Sequence, residues 1–190
     1  MIDAVAEACG AGVASSRPVA GGDINEALRV ELDDGRTLFV KHRADPEPGF
    51  YAAEAAGLRW LAEGPLPVPG VVAVTQAFLA LEWVQAGPRA ADFDAALGGG
   101  LARLHALGAP AFGADDDTFL GPLRLPGAPV EDWRSLYGEQ RLVPLLARAV
   151  DARALPDGAS ARLERVIDRL DELCGPPEPP ARLHGDLWSG

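Results

Sequence analysis

Hydrophobic and polar residues alternate in two neighbouring stretches near the start of the chain. Leu28, Val30 and Leu32 share one face of the first stretch, and the alternation resumes from Thr37 to Lys41 after the turn-forming sequence DDGR. A period of two is typical of half-buried strands, and two such runs joined by a tight turn predict a β-hairpin. Two later apolar runs, GVVAV and FLALEWV, predict strands that complete an antiparallel sheet.

The stretch up to Val84 is predicted to be mostly strands with one helix. That helix lies between Gly49 and Gly64 and is followed by the stiff sequence PLPVP. Beyond the sequence AGPRA, the period of the apolar residues changes from two to 3.6, which indicates helices. We therefore expect a β-rich part over residues 1–85 and a mostly helical part over residues 86–190.

The helical part is predicted to contain three helices and one long loop. Apolar residues recur at helical spacing over 93–104 and again, as one amphipathic helix, over 163–173. Another helix begins near residue 131 and is disturbed at Pro144, and residues 109–130 are predicted to be irregular. Gly98 to Gly100 would each cost about 0.5–1 kcal/mol against Ala inside a helix, which predicts a close backbone approach there.

Composition and charge exclude several classes of protein. The 190 residues are 48% hydrophobic and 24% charged, as in ordinary globular domains. A net charge of −11 repels nucleic acid and suits cationic or polyol ligands, or serves solubility alone. No apolar run approaches the roughly 20 residues of a membrane span. Because the start MIDAVAEACG is acidic and lacks the basic residues of a secretory signal, we expect a cytoplasmic protein with no membrane partner.

The two cysteines give no sign of a disulfide or a metal site. Cys9 and Cys174 lie far apart and lack metal-ligand spacing, so they are interpreted as reduced thiols. Cys174 falls on the apolar stripe of the last predicted helix, where we expect it to pack.

Lys41 and Glu54 are a candidate ion pair. Lys41 ends the second strand of the predicted hairpin, and Glu54 shares the inward stripe of the following helix with Leu58 and Leu61. A buried carboxylate needs a partner, because an unpaired charge costs several kcal/mol. Protein kinases use such a strand lysine and helix glutamate to hold ATP phosphates. The alternative is a surface lysine and an unrelated glutamate.

Two further segments could bind a nucleotide. The turn before the hairpin carries Gly21 and Gly22, and the backbone N–H groups of the residues after them could hold phosphates, or the segment is an ordinary turn. Those residues are Asp23, Ile24 and Asn25. The main chain from Glu82 to Val84 could meet the edge of an adenine ring, or it is a plain strand end.

The last ten residues, ARLHGDLWSG, resemble a kinase catalytic loop. His184, Asp186 and Leu187 match the pattern H-R-D-L-x-x-x-N, with Gly185 in place of the arginine. The metal-binding asparagine of that pattern would be the next residue, so we expect the chain to be truncated within this loop. The order of glycine turn, strand lysine, helix glutamate, linker and His-x-Asp strengthens the kinase interpretation.

With these motifs in place, the chain resembles the fructosamine kinase family, relatives of the aminoglycoside phosphotransferases. GGDINEA, FVK, EAAGLRWL, DDTFLG and LHGDLWSG look like landmarks of that family. The resemblance implies an α+β, protein-kinase-like fold of two lobes. It also implies transfer of the ATP γ-phosphate to a sugar hydroxyl of a ketosamine, free or protein-bound, after which the product sheds its sugar.

The resemblance assigns roles to residues at matching positions. Asp186 becomes the catalytic base, Lys41 the phosphate clamp and Glu54 its orienter, with ATP and Mg²⁺ as cofactors. Trp188 and Trp133 could form walls of the sugar site; the site is favoured for Trp188, and a core position is slightly favoured for Trp133. His184 is expected to be a hydrogen-bonding residue of the loop.

Two departures from the family pattern limit what the resemblance implies. Asp23 stands where some relatives carry a redox-sensitive cysteine, which argues against such a switch. No metal ligand is expected within the chain, and we therefore expect negligible kinase activity from a polypeptide that ends at Gly190. Another small-molecule kinase, for an aminoglycoside or a choline-like amine, and a non-catalytic kinase-like remnant remain the alternatives.

Overall fold

The structure is a computed structural model that describes residues 1–20 and 25–187. It divides into two compact units. The first unit contains Met1–His105 and the chain end from His184, and the second contains Ala106–Leu183. Within the described residues, no helix has the length and apolar character needed to cross a membrane.

The first unit is built on a five-stranded antiparallel sheet. Its strands are β1 (Val13–Val19), β2 (Glu26–Leu32), β3 (Thr37–His42), β4 (Val71–Val74) and β5 (Phe78–Glu82). They lie in the order β1-β2-β3-β5-β4, so β1 and β4 form the edges. The predicted hairpin is confirmed as β2 and β3, and the two later apolar runs are confirmed as β4 and β5.

One face of this sheet forms the main core of the unit. Val30, Val40 and Phe78 are fully buried there, together with Leu38 and Ala80. Helix α1 (Ile2–Cys9) covers this face through Val5, which is also fully buried. Because strand residues alternate between faces, Lys41 projects from the opposite face to Val40.

Helix α2 (Phe50–Ala62) is the helix predicted between Gly49 and Gly64, and it packs against β4 and β5. It buries Phe50, Tyr51 and Ala55. The expectation of a single helix before Val84 was wrong, because α1 precedes the sheet and ends at Gly10, which adopts the left-handed conformation with φ of 66°. Glycine adopts this conformation without steric cost, which explains the sharp end of the helix.

Helix α3 (Phe93–Ala106) confirms the helical spacing seen in the sequence. Its glycine run allows a close approach at one point, since a Cβ atom on Gly100 would lie 2.3 Å from Leu66 Cδ2. Gly98 has no neighbouring atom within 4 Å of the equivalent position. The expected close approach is therefore made by Gly100.

The second unit contains a short hairpin where the sequence predicted only a loop. Strands β6 (Thr118–Leu120) and β7 (Leu123–Leu125) pair with each other, and Phe112 forms an isolated bridge with Val130. Each strand has only three residues, and Leu125 is the one buried residue among the six, so their hydrophobic pattern is too short for the periodicity to indicate them.

The helix predicted from residue 131 contains a π-helical segment, Ser135–Leu142, that continues into α4 (Val143–Asp151). Pro144 lies in the first turn of α4, at the junction with the π-helical segment. Gln140 and Arg141 donate side-chain hydrogen bonds to the carbonyl groups of Ala128 and Pro126. These bonds fasten the π-helical segment to the loop before it.

The last helical region differs from the prediction in two respects. It is broken at Arg169 into α5 (Ala159–Asp168) and α6 (Leu170–Leu173), whereas the sequence predicted one helix. Cys174 follows α6 and is exposed, so the expectation that it packs on an apolar stripe was wrong. Leu170 is the buried residue of α6, and it lies against the backbone of Gly138.

Candidate nucleotide site

Lys41 and Glu54 form an ion pair, as their positions in the sequence predicted. The Lys41 Nζ atom lies 2.6 Å from Glu54 Oε1. The side chains are 25% and 31% exposed, so the pair is partly shielded but open to solvent on one side. Such a pair holds an ammonium group at a defined place on the sheet.

The position of Lys41 follows from the register of the sheet. It lies opposite Ala27 of β2 on one side and opposite Leu79 of β5 on the other. Lys41 is therefore on the central strand, whose neighbours fix its backbone on both sides. Glu54 reaches it from the second turn of α2.

Tyr51 of α2 contacts Asn25, the last residue of the glycine turn that the sequence proposed as a phosphate-binding segment. Its Oη atom donates a hydrogen bond of 3.0 Å to Asn25 Oδ1. Tyr51 is 1% exposed. Burial raises the pKa of the Tyr51 phenol to about 12, and the nearby Arg43 charge only partly counters this. The hydroxyl is therefore protonated at neutral pH and acts as the donor.

Arg43 brings a further positive charge close to this region. Its guanidinium lies over the Phe50 ring, with 5.4 Å between Cζ and the ring centroid. The Arg43 Nε atom is buried and has no hydrogen-bond partner among the described residues. Neither Arg43 nor Tyr51 was predicted from the sequence to belong to the site. The sequence does contain a signal for each of them. Arg43 is two residues from Lys41, a spacing that puts both on one side of an extended strand. Tyr51 is three residues from Glu54, a spacing that puts both on one face of a helix.

The segment from Glu82 to Val84 leaves the sheet with some backbone groups already bonded. The Glu82 N–H donates to the Gly70 carbonyl at 2.9 Å, and the Trp83 N–H donates to the Thr37 carbonyl at 3.1 Å. The Glu82 carboxylate accepts a hydrogen bond from the Gly70 N–H at 3.1 Å. No described residue accepts a hydrogen bond from the Val84 N–H, and Val84 is 67% exposed.

Trp83 is a further residue of this segment whose contacts were not predicted from the sequence. The Arg29 guanidinium lies over its ring, 5.0 Å from the centroid, and the Phe39 ring centroid is 6.3 Å away. These contacts join β2, β3 and the end of β5 on the Lys41 face of the sheet. The Trp83 Nε1 atom is buried without a partner among the described residues.

The chain end places His184 and Asp186 in a short local contact. The Asp186 N–H donates to His184 Nδ1 at 3.3 Å. Gly185 between them has a φ of 86°, which a non-glycine residue rarely adopts. Asp186 is exposed, and its carboxylate forms no hydrogen bond or ion pair with a described residue. His184 thus acts as a hydrogen-bond acceptor within this segment.

Trp133 lies in the second unit within an aromatic cluster. Its ring stacks on Tyr137 with 5.2 Å between centroids and 9° between planes, and Phe112 contacts it edge-on at 6.3 Å. Trp133 is 37% exposed, so it is not a core residue. One ring face is taken by Tyr137.

Several predicted site residues lie outside the described residues. They are Gly21, Gly22, Asp23, Ile24 and Trp188. In the part of the chain that the structure describes, no three or more side chains of His, Cys, Asp or Glu form a cluster that could hold a metal ion.

A five-stranded antiparallel sheet whose central strand carries a lysine paired to a helix glutamate is typical of the protein-kinase-like fold. Comparison with solved structures supports this class. A crystal structure of a proposed fructosamine-3-kinase from Thermobifida fusca matches 99% of this chain and 67% of its own, with 41% identity and a TM-score of 0.89. A Haemophilus somnus structure at 24% identity, with a TM-score of 0.79 over 95% of this chain and 62% of its own, shows the same fold.

Sequence comparisons identify the family. The fructosamine kinase family model matches residues 2–190. A probable ketoamine kinase of Thermus thermophilus is 37% identical over 91% of this chain and 60% of its own length. One of Enterococcus faecium is 32% identical over 91% and 62%. The chain therefore belongs to the fructosamine kinase family, and it spans about three fifths of the length of these curated relatives.

Proposed function

We propose that the protein is an ATP-dependent kinase that phosphorylates a sugar hydroxyl of a ketosamine. The observation that carries the proposal is the 2.6 Å contact between Lys41 and Glu54 on the central strand of the sheet. The names of the relatives, probable ketoamine kinase, support the acceptor class. This chain spans about three fifths of the length of those relatives. The activity is therefore proposed for the gene product that contains these residues.

In this proposal, Lys41 neutralises charge on the ATP phosphates. Glu54 holds the ammonium group in place, so that little side-chain entropy is lost when the nucleotide binds. The Glu82 carbonyl and the Val84 N–H face the adenine edge as acceptor and donor. The adenine edge would thus accept a hydrogen bond from the Val84 N–H group, which bonds to no described residue.

Asp186 is proposed to be the catalytic base. The acceptor hydroxyl oxygen forms a bond to the γ-phosphorus as the bond from that phosphorus to the β–γ bridging oxygen breaks, and ADP leaves. The hydroxyl proton passes to the Asp186 carboxylate, whose oxygens are free of other described partners. Phosphoryl transfer depends mainly on positioning and charge neutralisation. The main requirement on Asp186 is therefore that its carboxylate lies next to the acceptor hydroxyl.

Mg²⁺ is proposed to enter with ATP. The described residues do not fit a protein-held metal site, because they contain no cluster of three or more candidate ligands.

The acceptor is proposed to bind next to Trp133 and Trp188, because aromatic faces pack well on sugar C–H surfaces. The exposed part of the Trp133 ring supports this role. We further propose that residues 1–85 act as the nucleotide-binding lobe and residues 86–190 as part of the acceptor lobe. A cytoplasmic location would supply the ATP. Loss of the sugar from the phosphorylated product would make the reaction a deglycation of free or protein-bound amines.

The proposal is tested by ADP release with fructosyl-lysine, ribulosyl-lysine and kanamycin offered in parallel to the gene product. We expect turnover of a ketosamine, loss of turnover in Lys41→Met and Asp186→Asn, and no turnover of kanamycin. Turnover of kanamycin alone would identify another small-molecule kinase. ATP binding without turnover of any acceptor would favour a non-catalytic remnant.

A further inference from the structure

We propose that Tyr51 is a positioning residue of the nucleotide site, which holds the Asn25 carboxamide so that its Nδ2 group donates to a phosphate oxygen of ATP beside Lys41. This inference rests on the proposed function and deepens it. It names a second polar donor at the phosphates and the residue that orients it.

The Asn25 side chain has a fixed acceptor and a free donor. Its Oδ1 atom accepts the 3.0 Å hydrogen bond from Tyr51 Oη. No described residue accepts a hydrogen bond from the Nδ2 group of Asn25. An amide held by its oxygen directs its two N–H bonds to defined positions. The contact with Tyr51 thus leaves the donor end of Asn25 available for a ligand.

The register of the sheet places the start of β2, which directly follows Asn25, next to Lys41. Ala27 pairs directly with Lys41, and Asn25 lies two residues before Ala27. Residues two apart lie on the same side of an extended chain, and diagonal neighbours across two strands are within reach of long side chains. The amide donors and the ammonium group therefore belong to one side of the sheet.

Helix α2 supports both groups. Tyr51 and Glu54 are three residues apart, which places them on one face of the helix. Tyr51 binds Asn25 at 3.0 Å, and Glu54 binds Lys41 at 2.6 Å. One rigid element thus sets the relative positions of the two donors, and this is the property that phosphate recognition requires.

The local charge is suited to an anion. Arg43 lies near Tyr51 and over the Phe50 ring, and it forms no ion pair with a described residue. Lys41 and Arg43 together carry two positive charges, and Glu54 compensates one of them. A phosphate group would balance the remainder.

The test measures dissociation constants of ATP and adenosine by calorimetry, with the melting temperature of each variant. Tyr51→Phe removes the hydroxyl and keeps the ring. We expect it to weaken ATP binding about three- to tenfold, the usual value of one hydrogen bond, and to leave adenosine binding unchanged. Tyr137→Phe, which changes the only other tyrosine, is the matched control and should leave both constants unchanged.

A second variant does not depend on Tyr51. Asn25→Asp keeps an acceptor for the Tyr51 hydroxyl but replaces the Nδ2 donor by a charged oxygen. We expect it to weaken ATP binding more than about tenfold, because two negative groups would meet, and to keep the melting temperature. In an Asn25→Ala background, Tyr51→Phe should cause no further loss, because Tyr51 acts through Asn25.

The outcomes separate this inference from the proposed function. If the protein binds ATP through Lys41 but Tyr51→Phe and Asn25→Asp bind it like the parent protein, the inference alone is overturned. Equal losses for ATP and adenosine, together with a lower melting temperature, would assign Tyr51 a purely structural role. If the protein shows no ATP binding that Lys41→Met removes, the proposed function fails, and the inference fails with it.

Discussion

Gly100 in α3 lies directly against the side chain of Leu66, where a Cβ atom on the glycine would stand 2.3 Å from Leu66 Cδ2. Gly98, on the same helix, faces open space within 4 Å of its equivalent position. Two glycines with the same intrinsic cost in a helix therefore differ in their tertiary role. A side chain at position 100 would have to displace the Leu66 side chain, whereas one at position 98 would meet no neighbouring atom within 4 Å.

This difference predicts opposite effects of the same substitution. Gly98→Ala should stabilise the protein by about 0.5–1 kcal/mol, because alanine loses less backbone entropy in a helix. Gly100→Ala gains the same helix propensity but must displace Leu66, at a cost of about 1–3 kcal/mol. Denaturant unfolding of both variants checks the order. Equal stability of the two variants would contradict the role assigned to Leu66.

The Lys41–Glu54 pair is expected to matter more for binding than for stability. A partly exposed ion pair contributes about 0–1 kcal/mol to folding, so Glu54→Gln should change the melting temperature little. It should weaken ATP binding, because the Lys41 ammonium is then free to move away. Calorimetric ATP titration measures this, with Glu7→Gln on α1 as the exposed control. A large loss of stability with unchanged ATP affinity would contradict this expectation.

Tyr51 should titrate late. Its pKa is raised to about 12 by burial, compared with about 10 in an unfolded chain. The folded state therefore disfavours the phenolate, and the stability that this contributes is complete below pH 10 and is lost as the pH rises toward 12. Tyrosinate absorbance should show a component near pH 12 that is absent from Tyr51→Phe. Titration of Tyr51 at its ordinary pKa would show that the phenol is not buried.

Asp132 should stabilise the start of the π-helical segment. Its Oδ1 atom accepts a hydrogen bond from the Ser135 N–H at 2.8 Å, which is the main reason that the pKa of Asp132 is lowered. A lowered folded pKa means that this stabilisation is present above the unfolded value and is lost as the pH falls through the folded one. Asp132→Ala should lower the melting temperature at pH 7.

Two comparisons test the cause of this effect. Asp132→Asn retains an acceptor and should lower the melting temperature less than Asp132→Ala. The difference between Asp132→Ala and the parent protein should shrink in acid. Asp157→Ala, at an exposed loop position, is the control and should have little effect. A difference that persists unchanged in acid would exclude the carboxylate as the cause.

The sequence predicted those elements that carry a strong hydrophobic period. The hairpin of β2 and β3 and helix α2 were found because one face of each is buried. Strand β1 is exposed along residues 14–18, so no alternation indicates it, and only its pairing with β2 defines it. Helix α1 has eight residues and one buried side chain, Val5, which is too short a pattern to recognise.

For the candidate site, the sequence predicted the pair of residues that matches the strand lysine and helix glutamate of protein kinases. Lys41 and Glu54 were paired because a carboxylate on an inward stripe needs a cation, and the structure joins them. The contact between Tyr51 and Asn25 depends on how α2 lies relative to the start of β2, which no local pattern encodes. Nor does any local pattern encode the placement of Arg43 over Phe50.

Strand β1 also bears on self-association. As an edge strand, it could in principle accept a strand from another chain. Pro18 lies opposite Leu28, and proline is found at strand positions whose nitrogen faces away from the neighbouring strand. The open edge of β1 therefore lacks one hydrogen-bond donor, and the exposed Arg17 adds a positive charge beside it. The kinase-like sheet thus ends in a strand that discourages fibre-like addition of a second molecule.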